Sequence, residues 1–416
     1  MARVSPRRLV SKLRAARARH QARNRPSGFE FAIADGIRYL DAGHWDALAA
    51  TKGDSVFLSR PYLEALDAAS PDNVRTRYAI AYRGGRPAVS VAMQFAAVRA
   101  EDLGSKANGE PSGRRARLGA AVKHRVRATL LLCGNLTSWG PHGCRFGDGL
   151  LPDEGWPAVA EALFRVRRAE RLEGQTDLVL VKDIPDADLP GIVGLETFSY
   201  RPFDTDPNMV LELPATCRSM DDYFASLRSK YRSSAKSVFE KAAKANLRTA
   251  RVDDVAKVAE RMHALYLDTQ SGAKVRLFTL HPDYFPRLAE ALGSKFRCTG
   301  LFRGDAMVGF VTVIRDGETA VAYYMGFDRA ENEEAPVYFR LLFAAIETSI
   351  AMGCRRISFG RTALDPKSKL GAKPVRLRVW IRHRVPIVNV ALRRWLKEIP
   401  HQVAPEHAAM KDLVET

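Results

Sequence analysis

Between His263 and Lys369 the chain gathers side chains that could move protons or hold anions. His263 and Tyr266 lie three residues apart in a helical pattern and so share one flank. Tyr323 and Tyr324 open a run that continues Met325, Gly326, Phe327. In a regular strand neighbours point to opposite faces, so only one of the two phenols can face a given pocket. Gly326 would let another group approach the backbone closely. Arg361, Lys367 and Lys369 could hold a phosphate or carboxylate by charge, or could simply stand in solvent. Arg232 and Lys236, four residues apart, sit on a basic helix whose charges could equally be a solvated face. His142, His263 and His281 are isolated, and a solitary histidine is more often structural than catalytic. No Ser-His-Asp order, HExxH, Walker loop or GxGxxG is present. Five scattered cysteines with no CxxC pair speak for reduced thiols rather than a disulfide framework or a metal site.

The elements that must position these residues are legible around them. Ala306–Ile314 and Thr319–Phe327 flank Asp316-Gly317, a hairpin pattern. An acidic loop, Asp328 to Ala335, leads to Pro336, suited to a helix start. The helix expected over Val337–Met352 is apolar almost all round, with Arg340 and Glu347 on one narrow stripe and Gly353 as its cap. A short strand, Arg356–Phe359, precedes the lysine-rich stretch. Upstream, strand patterns at Tyr78–Tyr82, Pro87–Val98 and Thr129–Cys133, a helix at Ala158–Leu172 and a strand at Asp177–Val181 give a similar order. The spacing of Tyr223, Leu227, Tyr231, Ser234 and Val238 predicts one long helix, about Met220 to Asn246, whose other faces are basic. A strand at Val375–Ile381 and a helix near Val388–Lys397 follow at the end.

With 416 residues, two or three domains are expected. A net charge of +18 favours polyanionic partners: tRNA, anionic lipid or a phosphate-bearing cofactor. Met1 to Arg25 carry nine Lys/Arg and no acid, which predicts a solvated, flexible arm. Leu103 to Arg117 reads as a mobile insertion. No apolar run reaches the ~20 residues of a membrane span, and no cleavable signal peptide is visible.

Strand, strand, helix, strand over residues 306–359 resembles the core of the GNAT superfamily of acyltransferases. The closer likeness is to its two-lobed, Fem-like (FemAB-related) branch, through the closing segment Gly360-Arg361-Thr362-Ala363-Leu364-Asp365-Pro366-Lys367-Ser368-Lys369-Leu370-Gly371. The resemblance implies an α/β fold of tandem GNAT-like lobes with mixed central sheets flanked by helices. It divides the chain into a basic tail (1–27), a degenerate first lobe (28–205), an acyltransferase lobe (206–384) and an extension (385–416). It implies an N-acyltransferase that moves an acyl group from acetyl-CoA or a longer acyl-CoA to an amine, without a metal. His263, Tyr266 and Tyr324 would be catalytic. Met325, Gly326, Phe327, Val337, Arg361, Lys367 and Lys369 would hold the donor, and Arg232, Lys236 and Tyr323 the substrate. The pocket is expected between the Tyr323–Phe327 and Arg356–Phe359 strands, facing His263 and Tyr266. The loop Asp328–Ala335 has no glycine and several carboxylates, which would repel a pyrophosphate. This raises the Fem-type alternative, an aminoacyl-tRNA donor used in cell-envelope or peptide modification. A non-catalytic basic protein that binds RNA or anionic membrane is the third reading. A cytoplasmic protein, peripheral at the inner membrane face in the membrane-binding case, is expected.

Overall fold

The computed structural model describes residues 25–51, 53, 55–99, 127–273, 275–395, 405 and 407–411. The arm expected at Met1–Arg25 (apart from Arg25), the insertion expected at Leu103–Arg117 and much of the extension expected over 385–416 lie outside the described residues.

The same run of elements occurs twice. First come β1 (Glu30–Ala34), α1 (Ala42–Ala49), α2 (Arg60–Ala68), then β2 (Val74–Arg83), β3 (Arg86–Arg99) and β4 (Arg127–Cys133). A short β5 (Cys144–Phe146), α3 (Pro152–Ala169) and β6 (Leu178–Pro185) complete that series. After β7 (Arg201–Asp204) and β8 (Asn208–Glu212) come α4 (Met220–Ser226), which carries Asp221 and Asp222 and no basic residue, and the basic helix α5 (Ser229–Lys244). The second series is β9 (Leu247–Val252), α6 (Ala259–Ser271), α7 (Tyr284–Leu292), β10 (Phe296–Arg303), β11 (Ala306–Asp316) and β12 (Thr319–Phe327). It closes with α8 (Arg329–Glu334), α9 (Val337–Ala351) and β13 (Arg356–Ser358). In each series an antiparallel run of four strands is followed by a helix and a parallel strand: β6 on β4, β13 on β12.

The last strands are exchanged. One sheet runs β1-β2-β3-β4-β6-β15-β7, with β5 on β3; the other runs β14-β8-β13-β12-β11-β10-β9, where β14 is Lys373–Val375 and β15 is Leu377–His383. Thus β8 leaves the first sheet for the second and β15 leaves the second for the first. Only Arg376 separates β14 from β15, too few residues for the chain to fold back beside itself, so it crosses to the other sheet. The span 206–384 expected for the second lobe therefore includes a strand that belongs to the first sheet.

The two helix pairs face each other and share one core. Trp45, Phe57 and Tyr62 of the first lobe pack with Met262, Leu265, Tyr284 and Phe285 of the second. Helix α9 is buried over most of its circumference because it is apolar nearly all round; its two charges pair with each other, Arg340 Nη1 to Glu347 Oε2 at 3.2 Å. The long helix expected over Met220–Asn246 is instead two helices. Leu227 is extended and buried, and the Arg228 amide donates to Ala409 O at 2.9 Å. A distant segment, residues 407–411, takes the backbone groups that a continuous helix would have used. Helix α10 (Leu364–Lys369) lies beneath that segment, and α11 (Pro386–Trp395) ends the named elements.

Candidate active site

Strands β12 and β13 pair only at Thr319–Val321 with Arg356–Ser358. Beyond that point β12 runs on to Phe327, while the chain after β13 turns away. The Phe359 amide donates to Met209 O at 2.9 Å and the Gly360 amide to Asn208 Oδ1 at 3.0 Å. Gly360 has a φ of +77°, and a Cβ there would meet the Trp139 ring. The parting strands leave a cavity of about 420 Å³. Tyr324, Met325, Phe327, Tyr338, Phe359, Arg361 and Lys367 line it from the second lobe, and Ser138, Trp139 and Lys182 from the first. A larger open groove of about 970 Å³, with Arg251, Lys295, Arg297 and Arg315 on its walls, lies elsewhere on this sheet. There β9, β10 and β11 stay paired, so that groove offers no opened backbone edge.

The backbone of β12 is not regular here. Its pairing with β11 slips between Val311 and Val313, leaving Tyr323 and Tyr324 opposite Thr312. Thr312 Oγ1 accepts from the Tyr324 amide at 3.0 Å. A bulge of this kind breaks side-chain alternation. The expectation that only one tyrosine can face a given pocket therefore fails: the two rings stand edge to face, 4.8 Å apart. Tyr323 Oη lies 2.9 Å from Tyr62 Oη and 2.6 Å from Tyr284 Oη, and it donates to Thr137 Oγ1 at 3.2 Å. Tyr324 Oη donates to Thr137 O at 3.1 Å. Burial pushes the Tyr323, Tyr324 and Tyr284 phenols well above their ordinary pKa. Their hydroxyls form one hydrogen-bonded cluster with Tyr62 and Thr137 that joins the lobes.

Past the bulge, Asp328 N donates to Val308 O at 2.9 Å on β11, whereas Phe327 N donates to Thr269 Oγ1 at 2.9 Å. By strand alternation the Met325 amide also turns away from β11, toward the opening. Gly326 does admit a close neighbour, and that neighbour is α6. A Cβ there would lie 2.4 Å from Phe310 Cε1 and 2.7 Å from Tyr266 N, so the missing side chain lets α6 sit directly on the sheet.

His263 and Tyr266 do not line the cavity. His263 Nε2 lies 2.9 Å from Leu280 O, and Tyr266 Oη accepts from Gln270 Nε2 at 2.9 Å and from Leu280 N at 3.3 Å. Both tie the chain before α7 to α6, and burial lifts the Tyr266 phenol to about 12. The helical spacing put them on one flank, but that flank faces α7. Arg232 and Lys236 lie on α5, away from the cavity, and Lys369 pairs with Asp365 at 2.6 Å on the surface.

Lys367 does reach the cavity. It is 4% exposed, and its Nζ donates to Phe359 O at 2.6 Å. With no carboxylate beside it, burial lowers its pKa to about 7. Arg361 pairs with Asp183, a fully buried residue at φ +63°. Asp183 also accepts from Lys182 Nζ at 2.5 Å and from the Gly140 amide at 3.0 Å. Burial alone would raise the Asp183 pKa, but Lys182 and Arg361 together hold it below the usual carboxylate value. These first-lobe residues were missed in the sequence. Their only local signal was the loop Trp139-Gly140-Pro141-His142-Gly143, and Lys182-Asp183 reads as an ordinary strand end.

The start of α9 is the place to test for a pyrophosphate. Val337 N donates to Ala335 O at 2.7 Å and Tyr338 N to Asn332 Oδ1 at 2.8 Å. These two amides are thus engaged by the protein and would have to change partner to bind a pyrophosphate, whereas the Glu331 and Glu334 carboxylates of α8 are paired with Arg303. Among the described residues, no group of His, Cys, Asp and Glu is arranged to hold a metal, and no helix is long and apolar enough to cross a membrane.

Residues 225–368 match a family model described as an acetyltransferase (GNAT) domain. Among solved structures, FemX superposes with a TM-score of 0.53 at 10% identity, covering 89% of this chain and 100% of its own. A tandem GNAT protein from the clavulanic acid biosynthesis pathway gives 0.49 at 14% identity, over 86% of this chain and 99% of that one. L-PGS from Bacillus licheniformis gives 0.47 at 11% identity, over 86% and 97%. No curated protein matches the chain significantly. At such identities the FemX likeness speaks for the fold alone.

Proposed function

We propose that the chain transfers an acyl group to an amine in the cavity between β12 and β13, a reading supported by the GNAT-domain match over residues 225–368 and by the fold shared with FemX. The observation that carries this reading is the meeting, in one cavity, of an opened strand edge and a buried lysine that titrates near neutrality. The Met325 N–H, turned away from β11, would donate to the oxygen of a reacting carbonyl as it gains charge, an interaction that lowers an acyl-transfer barrier. Neutral Lys367 takes the proton released as the amine nitrogen bonds to the acyl carbon and returns it to the donor's leaving oxygen or sulfur as the bond to the acyl carbon breaks. Because Lys367 must be unprotonated, kcat/KM rises with pH through about 7 and levels off above it.

The donor is read from the α9 start. Its capped amides favour an aminoacyl ester carried on tRNA over acyl-CoA, the donor that the GNAT-domain match alone suggests. Mass spectrometry of a donor screen tests both points. Acetyl- and longer acyl-CoA are compared with charged tRNA against a panel of amines. Turnover with acyl-CoA alone would overturn the tRNA reading. Turnover with neither, together with steeply salt-dependent RNA or vesicle binding, would replace acyl transfer with a binding role.

A further inference from the structure

We propose that the cavity holds one anionic oxygen group, a carboxylate or a phosphate, of the amine acceptor, between Lys182 and Ser138 of the first lobe and Arg361 of the second. The word acceptor rests on the acyl-transfer reading; the anion site itself does not.

Charge is the first ground. Lys182 and Arg361 share the single carboxylate of Asp183, and no Asp or Glu is among the residues lining the cavity. One positive charge is left over in a place where burial already lowers the Lys182 pKa. Buried charge is costly unless compensated, and a plain latch between lobes would need only one cation per carboxylate. Unpaired polar atoms are the second ground. Ser138 is 3% exposed, and its Oγ has no hydrogen-bond partner among the described residues. The same is true of Arg361 Nε, although another guanidinium nitrogen is engaged by Asp183. Buried polar atoms are nearly always satisfied, so two orphans on one cavity that also carries surplus positive charge point to an oxygen that binds there. The Ser138 carbonyl is already taken by Lys182 Nζ at 2.7 Å, which leaves the hydroxyl free to donate.

Lys367 borders the same cavity, so the reacting amine and the anion lie within one small molecule or one terminal group. The acceptor class is therefore a zwitterion: an amino acid or peptide end bearing a carboxylate, or an amine bearing a phosphate.

The test is calorimetric titration of the full chain at constant ionic strength with inorganic phosphate and with acetate, chloride being the control. Saturable binding of at least one is expected. Binding of phosphate alone assigns a phosphate-bearing acceptor, and binding of acetate alone assigns a carboxylate-bearing one. Lys182→Gln should weaken the binding about tenfold or more, the weight of a charge-assisted hydrogen bond. Since Lys182→Gln also strips a partner from Asp183, Ser138→Ala is the second variant. It should weaken binding while leaving the anion-free melting temperature unchanged or higher, because it removes an unsatisfied buried hydroxyl. No saturable binding, or equal binding in wild type and Ser138→Ala, overturns the proposal. Either result is independent of whether any donor turns over.

Discussion

Lys367 shows how burial alone makes a functional group. The sequence offered it as one of several cations near a strand end; the fold removes it from water and gives it a carbonyl in place of a carboxylate. Lys367→Met should lower kcat roughly 10²-fold or more and abolish the rise in rate around pH 7. Lys367→Arg should not restore it, since a guanidinium stays protonated. A pH–rate profile of the three proteins decides, and an unshifted profile in Lys367→Met would remove the lysine from the chemistry. For His263→Ala the expectation is the reverse: kcat within about threefold of wild type, with the loss of one hydrogen bond worth roughly 1 kcal/mol of stability. Gly326→Val should act on the fold rather than on donor access. Its side chain would collide with Phe310 and the α6 backbone, a cost of about 1–3 kcal/mol or more, read as a lower melting temperature. The tyrosine pair marks the limit of reading residues from sequence. Alternation is a property of regular strands, and nothing local to Tyr323-Tyr324 announces that Thr312, across the hairpin, will open a bulge.

Elements held by local rules were legible. The Asp316-Gly317 hairpin, the apolar α9 and the short strand after it follow from turn chemistry and periodicity. The break between α4 and α5 does not, because its cause lies some 180 residues away, in the contact of Arg228 with Met410. That distant segment also braces α10. Ser368 Oγ donates to Pro405 O at 2.6 Å and accepts from the His407 amide at 3.0 Å, while His407 Nε2 lies 2.8 Å from Asp365 Oδ1. Because α10 carries Lys367, removing residues 405–416 should loosen the lysine as well as the surface. We expect a melting temperature lower by several degrees and a kcat reduced more than KM is raised. Unchanged melting and kinetics would show that α10 holds its place unaided.

At the scale of the whole molecule, the repeated order of sheet, helix and strand was readable, whereas the exchange of final strands was not. Strand periodicity says that residues 377–383 form a strand but not which sheet receives it. Its partner is chosen by the edge of β6 and by the pocket for Trp380 in the first core. Residues 1–205 produced alone should therefore lack cooperative unfolding and dispersed amide resonances; a sharp thermal transition for that fragment would contradict this. The exchange also sets a timetable for synthesis. Pro185 and Leu377, which face each other across β6 and β15, are 192 residues apart. At roughly 5–20 residues per second, the ribosome needs on the order of 10–40 s to deliver the second after the first. Throughout that interval the nascent first sheet has an unpaired edge and a core without Trp380. Folding of the early half must wait for the late half, and the growing chain is a natural client for chaperones that shield exposed strand edges.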